Sequence, residues 1–199
     1  MLTLADIRGG LGGVWRLFRG DPKAMDAFDL SYTGFWKSFL AILVALPVFL
    51  LYVHGEWSAL ASAIEGAPDA HVEAPSFATH LVLRLAVMAV DWLAFPLIVL
   101  AASGPLGISG RVVPYIIAQN WAAAAASIVI ALPGIAFAYS LLGAGVASLV
   151  TFVLFLLVLR FFYLVARIAL VAPIGLAVGL VAFNALLSLL IGELSSRLF

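Results

Sequence analysis

Asp91 carries the most demanding chemistry in the chain, because it stands in the middle of a long apolar stretch. A carboxylate at the centre of a membrane helix costs roughly 3 kcal/mol on insertion scales, so something must offset it. Two arginines are candidates. Arg84 lies two helical turns before Asp91 on the same face, and Arg160 is read as approaching from the cytoplasmic half on an oppositely directed helix. A pair with either would neutralise both charges while contributing little net stability. The same carboxylate also suits a site that binds a proton or a cation in transport. A protonated, neutral Asp91 is a third state, which burial favours. Gln119 and Asn120 sit side by side in one apolar stretch and Asn184 in another. Amides in hydrocarbon normally bond to neighbouring helices; with Asp91, Arg84 and Arg160 they make a candidate intramembrane polar site.

The other constellations carry less. Asp69, His71 and Glu73 alternate, with His80 nearby, and imidazole and carboxylates are suitable ligands for a divalent cation. Their spacing matches no metal motif, so a solvated acidic loop is expected and no metal is assigned. Gly104, Gly107 and Gly110 are spaced like a phosphate loop, but no Gly-Lys-Ser/Thr follows, which leaves a tight turn. Gly107-Ile108-Ser109-Gly110 has the G-x-S-G form of rhomboid intramembrane proteases. A serine nucleophile needs a base, and His54, His71 and His80 all precede Ser109 and belong towards the opposite membrane face. The absence of cysteine excludes thiolate nucleophiles, thiolate metal sites and disulfides. No catalytic residue and no cofactor is expected.

The elements that position these residues follow from hydropathy. Of 199 residues, 65% are apolar and 10% charged, which is membrane and not soluble composition. A net charge of zero gives no reason to expect nucleic acid. Crossing a hydrocarbon core takes about 20 apolar helical residues. Five stretches qualify: 35–53, 80–102, 112–132, 141–166 and 173–191. The expected fold is an all-α integral membrane bundle of five transmembrane helices (35–192). An N-terminal interfacial arm (1–34) precedes it, and residues 54–79 form an acidic outer loop. The fourth and fifth stretches are read as a hairpin because Pro173 interrupts an overlong apolar run. Residues 1–35 lack the apolar core of a cleaved signal peptide, and no lipidation motif is present.

Charge orients the bundle. Arg8, Arg16, Arg19, Lys23, Lys37, Arg111, Arg160 and Arg167 fall on one side of five crossings, with Arg84 and Arg197 towards the other. The positive-inside rule then puts the N-terminus in the cytoplasm and the C-terminus outside. In the arm, Leu4, Ile7, Leu11, Val14, Trp15 and Phe18 recur at helical spacing, with Arg8, Arg16 and Arg19 on the other face. This is an amphipathic helix on the anionic leaflet, or else a flexible arm whose arginines enforce topology. Its four glycines each cost up to about 1 kcal/mol of helix stability. A second short helix is expected to begin at Asp21-Pro22. Ala118, Ala122 and Ala126, and Gly175 with Gly179, would let helices approach closely.

Just before the first apolar stretch stands Asp29-Leu30-Ser31-Tyr32-Thr33-Gly34-Phe35-Trp36. It resembles the Asp-Leu-Tyr-Gly-Pro motif and following aromatics of the Yip family of five-span membrane proteins. It differs by the extra residues between Leu30 and Gly34 and by the missing proline. The resemblance covers about residues 29–190, chiefly in hydropathy. The GFWKSF entry and the Ala/Gly/Leu-rich helices are similar to bacterial, particularly alphaproteobacterial, members. Eukaryotic members are Rab-interacting factors of the early secretory pathway. The resemblance implies a non-enzymatic scaffolding or membrane-organising protein of the bacterial inner membrane, with its C-terminus in the periplasm. Asp29, Leu30, Tyr32, Gly34, Phe35 and Trp36 would then form a cytoplasmic contact for a membrane-protein partner or a second copy. The alternative, drawn from the polar residues, is a small proton- or cation-coupled transporter or channel using Asp91.

Overall fold

Four of the helices begin where the sequence supplies a capping side chain or a proline. Thr3 caps α1 (Leu4–Phe18): its side chain accepts from the Asp6 N–H, while the Asp6 carboxylate accepts from the Thr3 N–H. A 3₁₀ turn (Ala24–Ala27) follows, and then α2 (Tyr32–Phe39), capped by the Ser31 hydroxyl. The long helices are α3 (Ile42–Glu65), α4 (Phe77–Ala101), α5 (Val112–Ala138), α6 (Ala144–Ala169) and α7 (Ile174–Ser196). Ser76 caps α4, and Pro173 occupies the capping position of α7. The computed structural model describes residues 1–66 and 74–197.

Helices α3 to α7 are each long and apolar enough to cross a membrane, with α2 leading into the first. The fold is all-α among the described residues, and the chain is an integral membrane protein of five spans with an N-terminal arm. Pro47, Pro96 and Pro133 lie inside spans, where neighbouring helices re-satisfy the backbone groups that proline frees. The spans close into a ring in the order α3, α4, α7, α6, α5, and back to α3. Successive spans alternate in direction. The arm, the α4–α5 connection and the α6–α7 connection therefore share one end of the bundle.

Two features of the arm and first span differ from the sequence expectation. The first span does not stop near residue 53. After a break at Leu40 and Ala41, its helix runs on to Glu65, so residues 54–65 are helical and not loop. The reason is a second, amphipathic pattern: Trp57, Leu60, Ala61 and Ile64 recur at helical spacing between the polar residues. Trp57 anchors the extension by donating its indole N–H to the Pro75 carbonyl at 2.9 Å. The second feature is the expected helix from Asp21-Pro22. It is instead the 3₁₀ turn, with Asp21 accepting from the Lys23 N–H and from Arg16.

The arm is folded onto the bundle. Leu17 is fully buried, and Gly10 lies so close to the Trp121 ring of α5 that a Cβ there has no room. Gly13 packs in the same way on Phe28. The glycines that weaken α1 as an isolated helix are thus what let it approach its neighbours. The arm is also tied electrostatically. Asp6 accepts from the Thr3 hydroxyl at 2.7 Å and from the Lys37 ammonium of α2 at 2.9 Å. These donors, the Thr3 hydroxyl foremost, lower the Asp6 carboxyl from its ordinary value of 3.8 to about 2. A depressed carboxylate contributes stability above its unfolded value and loses it as pH falls through the folded one. Hydrogen-exchange protection at the start of α1 is therefore expected to stay level from neutral pH to about pH 4 and to fall towards pH 2. Loss of protection well above pH 4 would exclude this tie.

One strained turn joins α6 to α7. Val171 has φ +52°, a left-handed conformation that a β-branched residue rarely adopts. Arg167 spans the turn, donating to the Ala172 carbonyl at 2.7 Å. Its guanidinium thereby ties the two ends of the hairpin turn together.

Candidate functional site

The inward face of α4 carries Arg84, Met88, Asp91, Trp92 and Phe95, while Val82, Val90, Leu93 and Leu97 point outward. Asp91 lies where α4 meets α7, lines the clefts between the helices and is itself exposed. There it lines two cavities of about 320 and 360 Å³. The first lies among α4, α5, α6 and α7, displaced towards the arm end. The second lies among α3, α4, α5 and α7, displaced towards the opposite end. Asp91, Trp92, Ala123, Ser127 and Ser188 line both and form the waist between them.

At the waist, the Ser188 hydroxyl of α7 donates to the Asp91 carboxylate at 2.8 Å. No cationic side chain pairs with Asp91 among the described residues. Both expected arginine partners are placed elsewhere. Arg84 forms a two-pronged ion pair with Glu56 of α3, its Nε donating at 2.7 Å and its Nη2 to the second oxygen. The seven-residue step from Arg84 to Asp91 separates them by about 10 Å along the axis, which leaves Arg84 level with Glu56 instead. The sequence hides that partner, because Glu56 stands among polar residues that resemble a loop. Arg160 is exposed, and its helix runs in the same direction as α4, on the other side of the ring.

The amides divide. Asn120 is buried and donates to the Ser38 hydroxyl of α2 at 3.0 Å, which in turn donates to the Phe35 carbonyl at 2.7 Å. This chain fastens α2 to α5. Gln119 is 4% exposed, lines the arm-side cavity, and its Oε1 is buried without a hydrogen-bond partner. Asn184 lines the same cavity from α7. Asp91, Gln119, Asn120 and Asn184 are therefore brought together, and Arg84 and Arg160 are not.

One turn before Arg84 on α4, His80 is buried with its Nε2 3.4 Å from Glu56. His54, Trp57, Phe77 and Tyr139 form an aromatic cluster beside it, with His54 Nδ1 and the Tyr139 hydroxyl 3.1 Å apart. Asp69, His71 and Glu73 lie outside the described residues, and no group of metal ligands exists among those described.

The Asp29–Trp36 segment separates into two kinds of residue. Asp29 accepts from the Ser31 N–H at 3.0 Å, and Gly34 packs onto the Asp29 carbonyl where any side chain would collide. Its hydrogen bonds to Ser31 hold the Asp29 carboxyl below the usual carboxylate range. Phe35 packs against the core. Leu30, Tyr32 and Trp36 remain exposed, the last two in an edge contact. Ala118 and Ala122 are buried against neighbouring helices, whereas Gly175 and Gly179 face open space, with no described residue within 4 Å of where a Cβ would stand. Ser109 is exposed in the α4–α5 connection.

Comparison with protein-family models, with curated proteins and with solved structures finds no match to the chain.

Proposed function

We propose that this integral membrane protein is a small transporter or channel for cations or protons, with Asp91 as the site where the passing charge is held. The observation that carries this reading is the placement of Asp91: an acidic side chain halfway along a span, lining two cavities and partnered, among the described residues, by a hydroxyl. A carboxylate kept in that position for packing would come with a neutralising arginine, since its insertion cost otherwise stands uncompensated. Here the compensation is left to whatever fills the cavities. Ser127 and Ser188 add hydroxyl oxygens at the waist, and the Glu56–Arg84 pair sits at the far mouth. With the basic arm in the cytoplasm, the arm-side cavity opens towards the cytoplasmic half. The test is ion or proton flux in proteoliposomes holding the full chain, compared with its Asp91→Asn variant. Flux that vanishes in the variant supports the reading, and equal flux in both refutes it.

A second reading is favoured by one observation, the exposure of Leu30, Tyr32 and Trp36 beside the buried Gly34–Asp29 contact. These residues suit a Yip-like organiser that presents an aromatic surface to a membrane-protein partner. A photo-crosslinker at position 32 is then expected to give a discrete protein adduct in intact membranes, lost with Trp36→Ala. Adducts to lipid alone would leave the aromatics as ordinary interfacial anchors.

A further inference from the structure

We infer that the arm-side cavity binds an organic ammonium ion, an amine bearing an aromatic or aliphatic tail, in preference to a bare metal cation. The inference rests on reading Asp91 as a cation site and goes further by naming the class of cation. Three observations carry it.

The first is size. A dry cavity of about 150 Å³ takes up benzene. This one is about 320 Å³, far more than a naked ion fills and within the range of small-molecule sites. The second is the lining. Trp92, Phe95, Phe155 and Phe162 contribute aromatic side chains around a single carboxylate, the composition that favours a cation carrying hydrocarbon. A hydrated metal ion would instead require a shell of oxygens. The third is Gln119. Its side chain lines this cavity, and its Oε1 is buried without a donor, so a small turn of the amide towards the cavity would let a ligand supply one.

The register of the helices puts the two polar groups at one level. Phe95 of α4 and Tyr115 of α5 meet with ring centroids 6.3 Å apart. One turn from that contact, towards the end opposite the arm, lie Asp91 on α4 and Gln119 on α5. An ammonium N–H donor would meet a charged acceptor and a neutral one, with its tail among the rings. Both acceptors would then be satisfied by one ligand.

The experiment is equilibrium dialysis of radiolabelled 2-phenylethylammonium against the purified full chain in nanodiscs. Saturable binding of one amine per chain is expected, displaced by unlabelled amine and not by potassium or by neutral propylbenzene. Asp91→Asn should weaken it at least tenfold, by analogy with truncating one partner of a hydrogen-bonded charge pair, and Gln119→Leu by about three- to tenfold. Both variants must keep the parent's thermal melt. Displacement by propylbenzene as effective as by the amine would overturn the inference, since the cavity would then be an apolar or lipid site. Full-strength binding in the Asp91→Asn variant would overturn it as well. Failure here is distinguishable from failure of the transport reading. Asp91-dependent flux of protons or potassium without amine binding sinks only this inference. Asp91-dependent amine binding without flux of any cation sinks only transport.

Discussion

Replacing Asp91 with asparagine is expected to abolish cation flux, by at least tenfold, while leaving the protein as stable as its parent. The two halves of this expectation have separate causes. Flux falls because the only charge at the waist is removed, and a neutral amide attracts a cation far less in a low dielectric. Stability holds because the Ser188 hydroxyl can donate to an amide oxygen as it does to the carboxylate. No arginine is left unpaired, since Arg84 belongs to Glu56. A carboxylate that water reaches carries little insertion cost, so neutralising it should leave the melt close to the parent's. A buried Asp91–arginine pair would give a different signature, a loss of about 3–5 kcal/mol on removing one partner. A thermal melt in detergent separates the two outcomes.

The largest stability loss is expected at Glu56. Glu56→Ala removes the carboxylate that accepts two hydrogen bonds from the Arg84 guanidinium inside a spanning helix and that stands beside His80. Fully buried pairs lose about 3–5 kcal/mol on such a truncation; the Arg84 and Glu56 side chains keep 24% and 29% of their exposure, which reduces the expectation to about 1–3 kcal/mol. The double variant Glu56→Ala with Arg84→Met removes the cation together with its carboxylate and should recover part of that loss. If the double variant melts no higher than Glu56→Ala alone, Arg84 is stabilised by something other than this ion pair.

Much of this fold is legible in the sequence, for a physical reason. Lipid demands an uninterrupted apolar run from each span, so the five runs stand out without any knowledge of packing. What could not be read was whatever depends on two distant segments meeting. Glu56 and Arg84 are 28 residues apart, and the polar residues around Glu56 resemble a loop until the spacing of Trp57, Leu60, Ala61 and Ile64 is noticed. The arm's glycines were legible only as a helix weakness, because Trp121, the ring that Gly10 accommodates, lies in the third span. Asp91 was legible as a problem, since hydrocarbon makes any charge conspicuous. Its solution was not, because a cavity is a property of the gaps between helices and no residue type encodes it. The signal that could have helped was the run of small residues at Ala122–Ser127, which leaves α5 too thin to fill the ring centre.

The central claim is that water, and not lipid or packed side chains, reaches Asp91. The chain has no cysteine, so a single introduced thiol reports its own surroundings. Ser188→Cys would line both cavities, whereas Leu190→Cys on the same helix lies outside both and is 55% exposed towards lipid. Treated in proteoliposomes with a charged methanethiosulfonate, the cysteine at position 188 should react readily and the one at position 190 should not. If position 188 stays as inert as position 190, the waist is dry and the transport account fails.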